Sequence, residues 1–167
     1  MNNVQSMITI GAISIFSLIS IRFNATVLET SNVEVENKIY LTAFSLADDL
    51  IEEIKQKAFD EETVVFHSIN PEELTQSNEF GAAQDPGETS DPLTFDDIDD
   101  YNGFNKTISL PHAEGFTVTS QVVYVQPTNF ELISLSQTFF KRVTVWVSSD
   151  YLSHPVKLSF IFTLHSK

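Results

Sequence analysis

Apolar residues change their spacing twice along this chain. Residues 7–21, MITIGAISIFSLISI, carry no charge, and Thr9, Ser14, Ser17 and Ser20 interrupt the run only with hydroxyls small enough to bond back to their own helix. A globular surface helix keeps a polar side, whereas residues 8–21 are apolar on every face. From Val33 the pattern becomes one-sided: Ile39, Ala43, Leu46, Ala47, Leu50, Ile51, Ile54 and Ala58 recur at intervals of three and four and draw one stripe along a helix. The opposite face holds Asp48, Asp49, Glu52, Glu53, Lys55, Gln56 and Lys57, with Glu52–Gln56 and Glu53–Lys57 one helical turn apart. No proline breaks the segment before Phe59 and Asp60 close it, so one helix of about fifty residues is expected, on the order of 75 to 80 Å long. A small domain cannot cover that length. The first half must be buried by lipid or by other copies of the chain.

The apolar run reads as an anchor rather than a cleavable signal, because MNNVQS contains no Lys or Arg and no small-x-small site follows. Spanning a bilayer takes roughly 20 residues. Continuing through Phe23, Ala25, Val27 and Leu28 supplies them if Arg22 reaches an interface with its charged end.

Beyond Asp60 the helical period stops. Residues 60–104 hold Pro71, Pro86, Pro92, Gly81, Gly87 and Gly103 among many Ser, Thr, Asn and Asp, the composition of a long connection broken by turns. A short helical turn is suggested at Glu72, Glu73 and Leu74. Then the period becomes two, in residues 107–110, 116–125, 141–149 and 156–164. In KRVTVWVSS, Val143, Val145 and Val147 share one face; in VKLSFIFTL, so do Val156, Leu158, Phe160, Phe162 and Leu164. Strands with one apolar face need a partner, and the stripe of residues 39–58 supplies it. The expected fold is therefore α+β: a long N-terminal helix, hydrophobic then amphipathic, packed on a three- to four-stranded antiparallel meander. Residues 1–32 form the hydrophobic helix and 33–167 the globular domain, made of an amphipathic helix 33–59, an acidic loop 60–104 and a sheet 105–167.

Charge and composition narrow the chemistry. At 167 residues and a net charge of −14 the chain has room for one core plus an appendage, and it does not suit nucleic acid. No Lys or Arg stands between Lys57 and Lys106, where thirteen acidic residues cluster, a block that reads as a solvated surface. The lack of cysteine removes disulfides and thiol chemistry. His67, His112, His154 and His165 are scattered without metal-ligand spacing, and no phosphate loop or nucleophile elbow is present, so an enzyme is not expected. Within FDDIDDYNG, Asp96, Asp97, Asp99, Asp100 and Asn102 offer hard oxygen ligands next to the flexible Gly103, chemistry that calcium uses, though the spacing is not that of an EF-hand. The alternative is that Phe95, Ile98, Tyr101 and Phe104 dock the loop while the aspartates form turns or face water. No other cofactor is expected.

The layout resembles the type IV pilin and pseudopilin family. Two stretches carry the resemblance: LTAFSLADDLIEEIKQKAFDEE at residues 41–62, similar to the acidic helix exit of minor pilins, and LTFDDIDDYNGF at 93–104, similar to an acidic segment in minor pilins of the mannose-sensitive haemagglutinin type. The resemblance implies a structural subunit, held in the inner membrane by a single pass and then moved by pilus assembly machinery into an extracellular helical filament of many copies. It places Met1, Gln5, Met7, Ile8, Ile10, Ile13, Ile15, Phe16, Leu18, Ile19 and Ile21 in the filament core, with Met1 as the processed, methylated terminus. Two positions depart from the family pattern. Gln5 stands where the family has a glutamate that neutralises a neighbour's N-terminal ammonium, which weakens that contact in a low dielectric. Arg22 stands where a helix-loosening proline is common. Main subunit, minor pilin and secretion pseudopilin stay open, and a second reading is a single-pass membrane-anchored binding module.

Overall fold

A computed structural model of the chain describes residues 2–65, 70–82, 89, 91–110 and 113–164. The chain divides into two compact units, Met1–Ile39 and Tyr40–Lys167. One helix, α1 (Asn3–Ile54), contributes to both and runs for 52 residues.

The first unit is helix alone. Every side chain from residue 2 to 38 is exposed except Ser6 and Ser20, which are half-buried. The hydroxyls close onto the helix as their size requires: Thr9 Oγ1 donates to the Gln5 carbonyl at 2.8 Å and Ser14 Oγ to the Ile10 carbonyl at 2.9 Å. Thr26 and Thr30 do the same one and two turns beyond Arg22. Bonded in this way, the hydroxyls of Thr9 and Ser14 cost little to bury. The helix is long and apolar enough to cross a membrane.

The second unit is α+β, with the end of α1 packed on an antiparallel sheet. The stripe read from the sequence is the face that packs: Ala43, Ala47, Leu50, Ile51 and Ile54 are buried, and Leu46 and Ile39 are half-buried beside them. α1 ends at Ile54, earlier than the expected Phe59, and the reason is local. Gln56 and Lys57 make tighter bonds back to Glu53 and Ile54, and the chain then leaves the helix so that Ala58 can bridge Asp97. Both backbone bonds of that bridge, Ala58 N to Asp96 O and Ile98 N to Ala58 O, are 3.0 Å. A helical Ala58 could make neither of them.

The sheet is built from β1 (Asn105–Leu110), β2 (Ala113–Gln126), β3 (Asn129–Ile133), β4 (Phe140–Ser148) and β5 (Val156–Thr163). Neighbours run β1-β2-β4-β5, which is the expected four-strand meander; β3, not expected from sequence, pairs with the far end of β2. Register puts Val143 opposite Phe160, Val145 opposite Leu158 and Val147 opposite Val156. The three β4 valines are fully buried on the helix-facing side, whereas Phe160 stays 39% exposed because β5 is an edge strand. Within the connection 60–104 the described residues hold more regular structure than its composition suggests. Its described residues include α2 (Glu61–Val65) and three short 3-10 turns, at Pro71–Glu73, Pro92–Thr94 and Asp99–Tyr101.

Candidate functional site

Two places concentrate chemistry, one on the surface of the first unit and one in the core of the second. The surface feature is the apolar helix. Met7, Ile8, Ile10, Ile13, Ile15, Phe16, Leu18, Ile19 and Ile21 are all among the exposed large apolar side chains, from 60% at Ile13 to 74% at Met7. Gln5 is exposed, and its Oε1 accepts a bond from the Asn2 backbone at 3.3 Å. Met1 lies outside the described residues, as do Asp85, Pro86, Gly87, Glu88, His67, His112 and His165. His154 is exposed on the loop between β4 and β5.

The core feature departs from the expectation of a solvated acidic block. Asp60, Asp97, Asp99 and Asp100 are buried, at 0 to 3% exposure, while Asp96 faces outward. Their counter-charge comes from Lys141, itself fully buried at the start of β4. Lys141 Nζ donates to the Phe59 carbonyl at 2.8 Å, to Asp60 Oδ2 at 2.6 Å and to Asp99 Oδ2 at 2.7 Å, which uses all three ammonium hydrogens. The rings of Phe59, Phe80 and Tyr124 lie 4.5 to 5.1 Å from the same nitrogen and surround the charge with aromatic faces. A parity signal in the sequence pointed here. Lys141 has the same parity as Val143, Val145 and Val147, so it had to face inward with them.

Each carboxylate is held differently. Burial alone raises the Asp60 pKa, but the Lys141 charge and bonds from Thr75 N and Oγ1 outweigh it and hold the group below its ordinary range. Tyr124 Oη adds a contact to Asp60 Oδ2 at 3.0 Å. Asp97 is pushed up to about 7, by burial first and by nearby Asp100 and Asp60, against the pull of Lys141. Burial likewise drives Asp99 well above the ordinary carboxyl range. Tyr101 and Tyr124 are raised too, burial leading in both and Glu53 or Asp60 adding to it. The surroundings thus pull these acids apart: Asp60 is held below the ordinary carboxyl range, and Asp97 and Asp99 are pushed above it.

The remaining polar atoms shape the loop. Asp97 Oδ1 accepts the backbone N–H of Asp99 at 2.6 Å and of Asp100 at 3.1 Å, and Asp100 Oδ2 accepts those of Asp96 and Asp97. Asn102 Oδ1 accepts from Val122 N at 3.1 Å, which stitches the loop to β2. Gly103, at φ 77°, turns the chain there in a conformation that side-chain-bearing residues rarely adopt. Phe95, Tyr101 and Phe104 meet edge to face, with Phe95 and Tyr101 centroids 4.9 Å apart, and Tyr101 Oη donates to Glu53 on α1 at 2.8 Å. The aromatic docking read from the sequence is present. The five oxygen-bearing residues considered for calcium are brought into one loop, but Asp99 faces Lys141, Asn102 faces β2 and Asp96 faces outward. Among the described residues no group of three or more His, Asp or Glu side chains is arranged to hold a metal.

The chain was compared with protein-family models, with curated proteins and with solved structures, and none matches it.

Proposed function

We propose that this protein is a structural subunit of a type IV pilus-like filament, which assembles by packing the apolar part of α1 against the same segment of other copies. The observation that supports this reading most is an imbalance within α1. Its apolar stripe after Ile39, from Ala43 to Ile54, is buried within its own unit, whereas the large apolar residues before Leu28 are exposed on every face. At about 25 cal/mol per Å² of apolar surface removed from water, nine large side chains left at 60% exposure or more are a strong drive toward burial. Hydroxyls already bonded to the helix allow that burial in an apolar core. Gln5 offers a neutral hydrogen bond where the family uses a charge, so in this chain packing rather than charge pairing holds the N-termini.

The same helix suits a bilayer before assembly, and that is also the second reading: a single-pass anchored module whose helix is only a tether. Electron microscopy of purified appendages with N-terminal sequencing separates the two. Filaments built from this chain, with a processed and methylated N-terminus, are expected; an unprocessed chain confined to membranes and monomeric in detergent rejects the filament.

A further inference from the structure

We propose that Lys141 and Asp99 join through an intramolecular amide bond, with Asp60 as the base. The inference rests on the core of the second unit and is independent of how the first unit assembles.

Geometry comes first. Lys141 Nζ stands 2.7 Å from Asp99 Oδ1 and 2.7 Å from Asp99 Oδ2. Equal distances place the nitrogen on the plane that bisects the carboxyl group, and that plane contains its carbon. The amine therefore touches the whole Asp99 carboxyl group, beside its carbon, and the acidic turn holds Asp99 through the bond from its backbone N–H to Asp97 Oδ1. Asp60 Oδ2 reaches the same nitrogen at 2.6 Å from another direction. Apart from the Lys141 ammonium no donor among the described residues reaches Asp99 Oδ1, and Asp97 Oδ2 and Asp100 Oδ1 are buried without a hydrogen bond. Four buried carboxyl groups around one ammonium leave acid in excess. Losing an ion pair to a neutral amide relieves part of that cost.

The two aspartates touching Nζ are not equivalent. Asp60 accepts bonds from Thr75 N, Thr75 Oγ1 and Tyr124 Oη besides Lys141, which keeps it ionised, so that of the two it is the carboxylate with an oxygen open to receive a proton from Nζ. Asp99 is disfavoured as an anion by burial, and a neutral carboxylic acid is the better electrophile. The step balances without a co-reactant. One ammonium proton passes to Asp60; the freed lone pair bonds to the Asp99 carbon; the hydroxyl of Asp99 leaves with a second nitrogen proton as water. The products are one amide, one protonated Asp60 and one water. The aromatic faces of Phe59, Phe80 and Tyr124 keep bulk water from reversing the reaction. The bond spans 42 residues of sequence and ties the acidic loop to β4, so it restrains the unfolded chain as a long-loop cross-link does.

Mass spectrometry of the full-length chain in detergent tests this. The expected intact mass is lower, by one water, than that calculated for the observed N-terminus, and a tryptic map is expected to contain one branched peptide joining Lys141 to Asp99. Asp60→Asn should restore the full mass, and Asp99→Ala should do so as well. Wild-type protein at full mass overturns the proposal without any variant having to fold. A water loss that persists in Lys141→Met, as a backbone succinimide does, or a branch that maps to Asp60, overturns it equally.

Discussion

The two ends of α1 are the same element with opposite circumstances. Between residues 40 and 54 one apolar stripe, Ala43, Ala47, Leu50, Ile51 and Ile54, is buried while Leu41 and Phe44 off that stripe stay exposed; between residues 7 and 21 apolar side chains occupy every face and remain exposed. Intrinsic helix preference cannot tell these segments apart, since both are uninterrupted helix. The difference is the width of the apolar surface. A narrow stripe can be satisfied by one sheet, whereas a surface apolar all round needs an environment that is apolar all round. The contrast teaches that the stripe from Ala43 to Ile54 is covered within its own unit, whereas the apolar surface of residues 7–21 is left uncovered.

The largest expected effect breaks the comparison at its unsatisfied end. Phe16→Asp places a charge in the apolar run and should eliminate both membrane retention and incorporation into appendages, since an aspartate at the centre of a membrane helix costs about 3 kcal/mol. The melting temperature of the compact unit should not move, because Phe16 is 72% exposed; fractionation and calorimetry on one preparation check both halves. Next is Lys141→Met, which should lower unfolding free energy by roughly 3 to 5 kcal/mol in urea titration, because, as ammonium or as amide, Lys141 is the partner that the buried Asp60 and Asp99 share. Ile54→Ala then tests the satisfied end of α1. Its side chain is fully buried, and the cavity should cost about 2 to 4 kcal/mol with no loss of membrane retention.

A smaller effect comes from pH. Asp97 has a folded value of about 7 against an ordinary 3.8, so the native state keeps a proton that the unfolded chain has released. Its stabilising share is fully present below the unfolded value and is lost as pH rises through about 7, at a slope approaching 1.4 kcal/mol per unit. Asp60 has the opposite sign: its pKa is lowered, and its contribution disappears as pH falls below 3.8. Melting temperature is therefore expected to peak in mildly acidic buffer and to decline toward neutrality, a decline that Asp97→Asn should flatten. The smallest effect is at Glu34, paired with Lys38 at 2.7 Å on an exposed turn of the first unit. Glu34→Gln should leave the melting curve unshifted, because solvent screens an exposed pair.

Much of the fold was legible because it follows local periodicity. The stripe from Ala43 to Ile54 and the inward parity of Val143, Val145 and Val147 depend only on the turn of a helix and the pleat of a strand. The acidic loop was legible only in part. Phe95, Ile98 and Tyr101 were recognisable as docking residues, yet nothing in FDDIDDYNG says which aspartates turn inward. That choice depends on Lys141, and a lone lysine at a strand start is usually solvated. β3 was not legible because Asn129–Ile133 is only five residues long and buries none of its side chains, so its short alternation marks no core-facing side.

What the sequence determined by itself was the sum of its short-range regularities: one continuous helix with two kinds of surface, strands with one apolar face, and a surplus of acid. Tertiary structure alone decided where that acid went. Lys141 meets Asp60 across 81 residues and Asp99 across 42, and no periodicity operates over such separations. The meeting exists because α1, the acidic loop and β4 close on one core, and a charge enclosed there must find its partners within it.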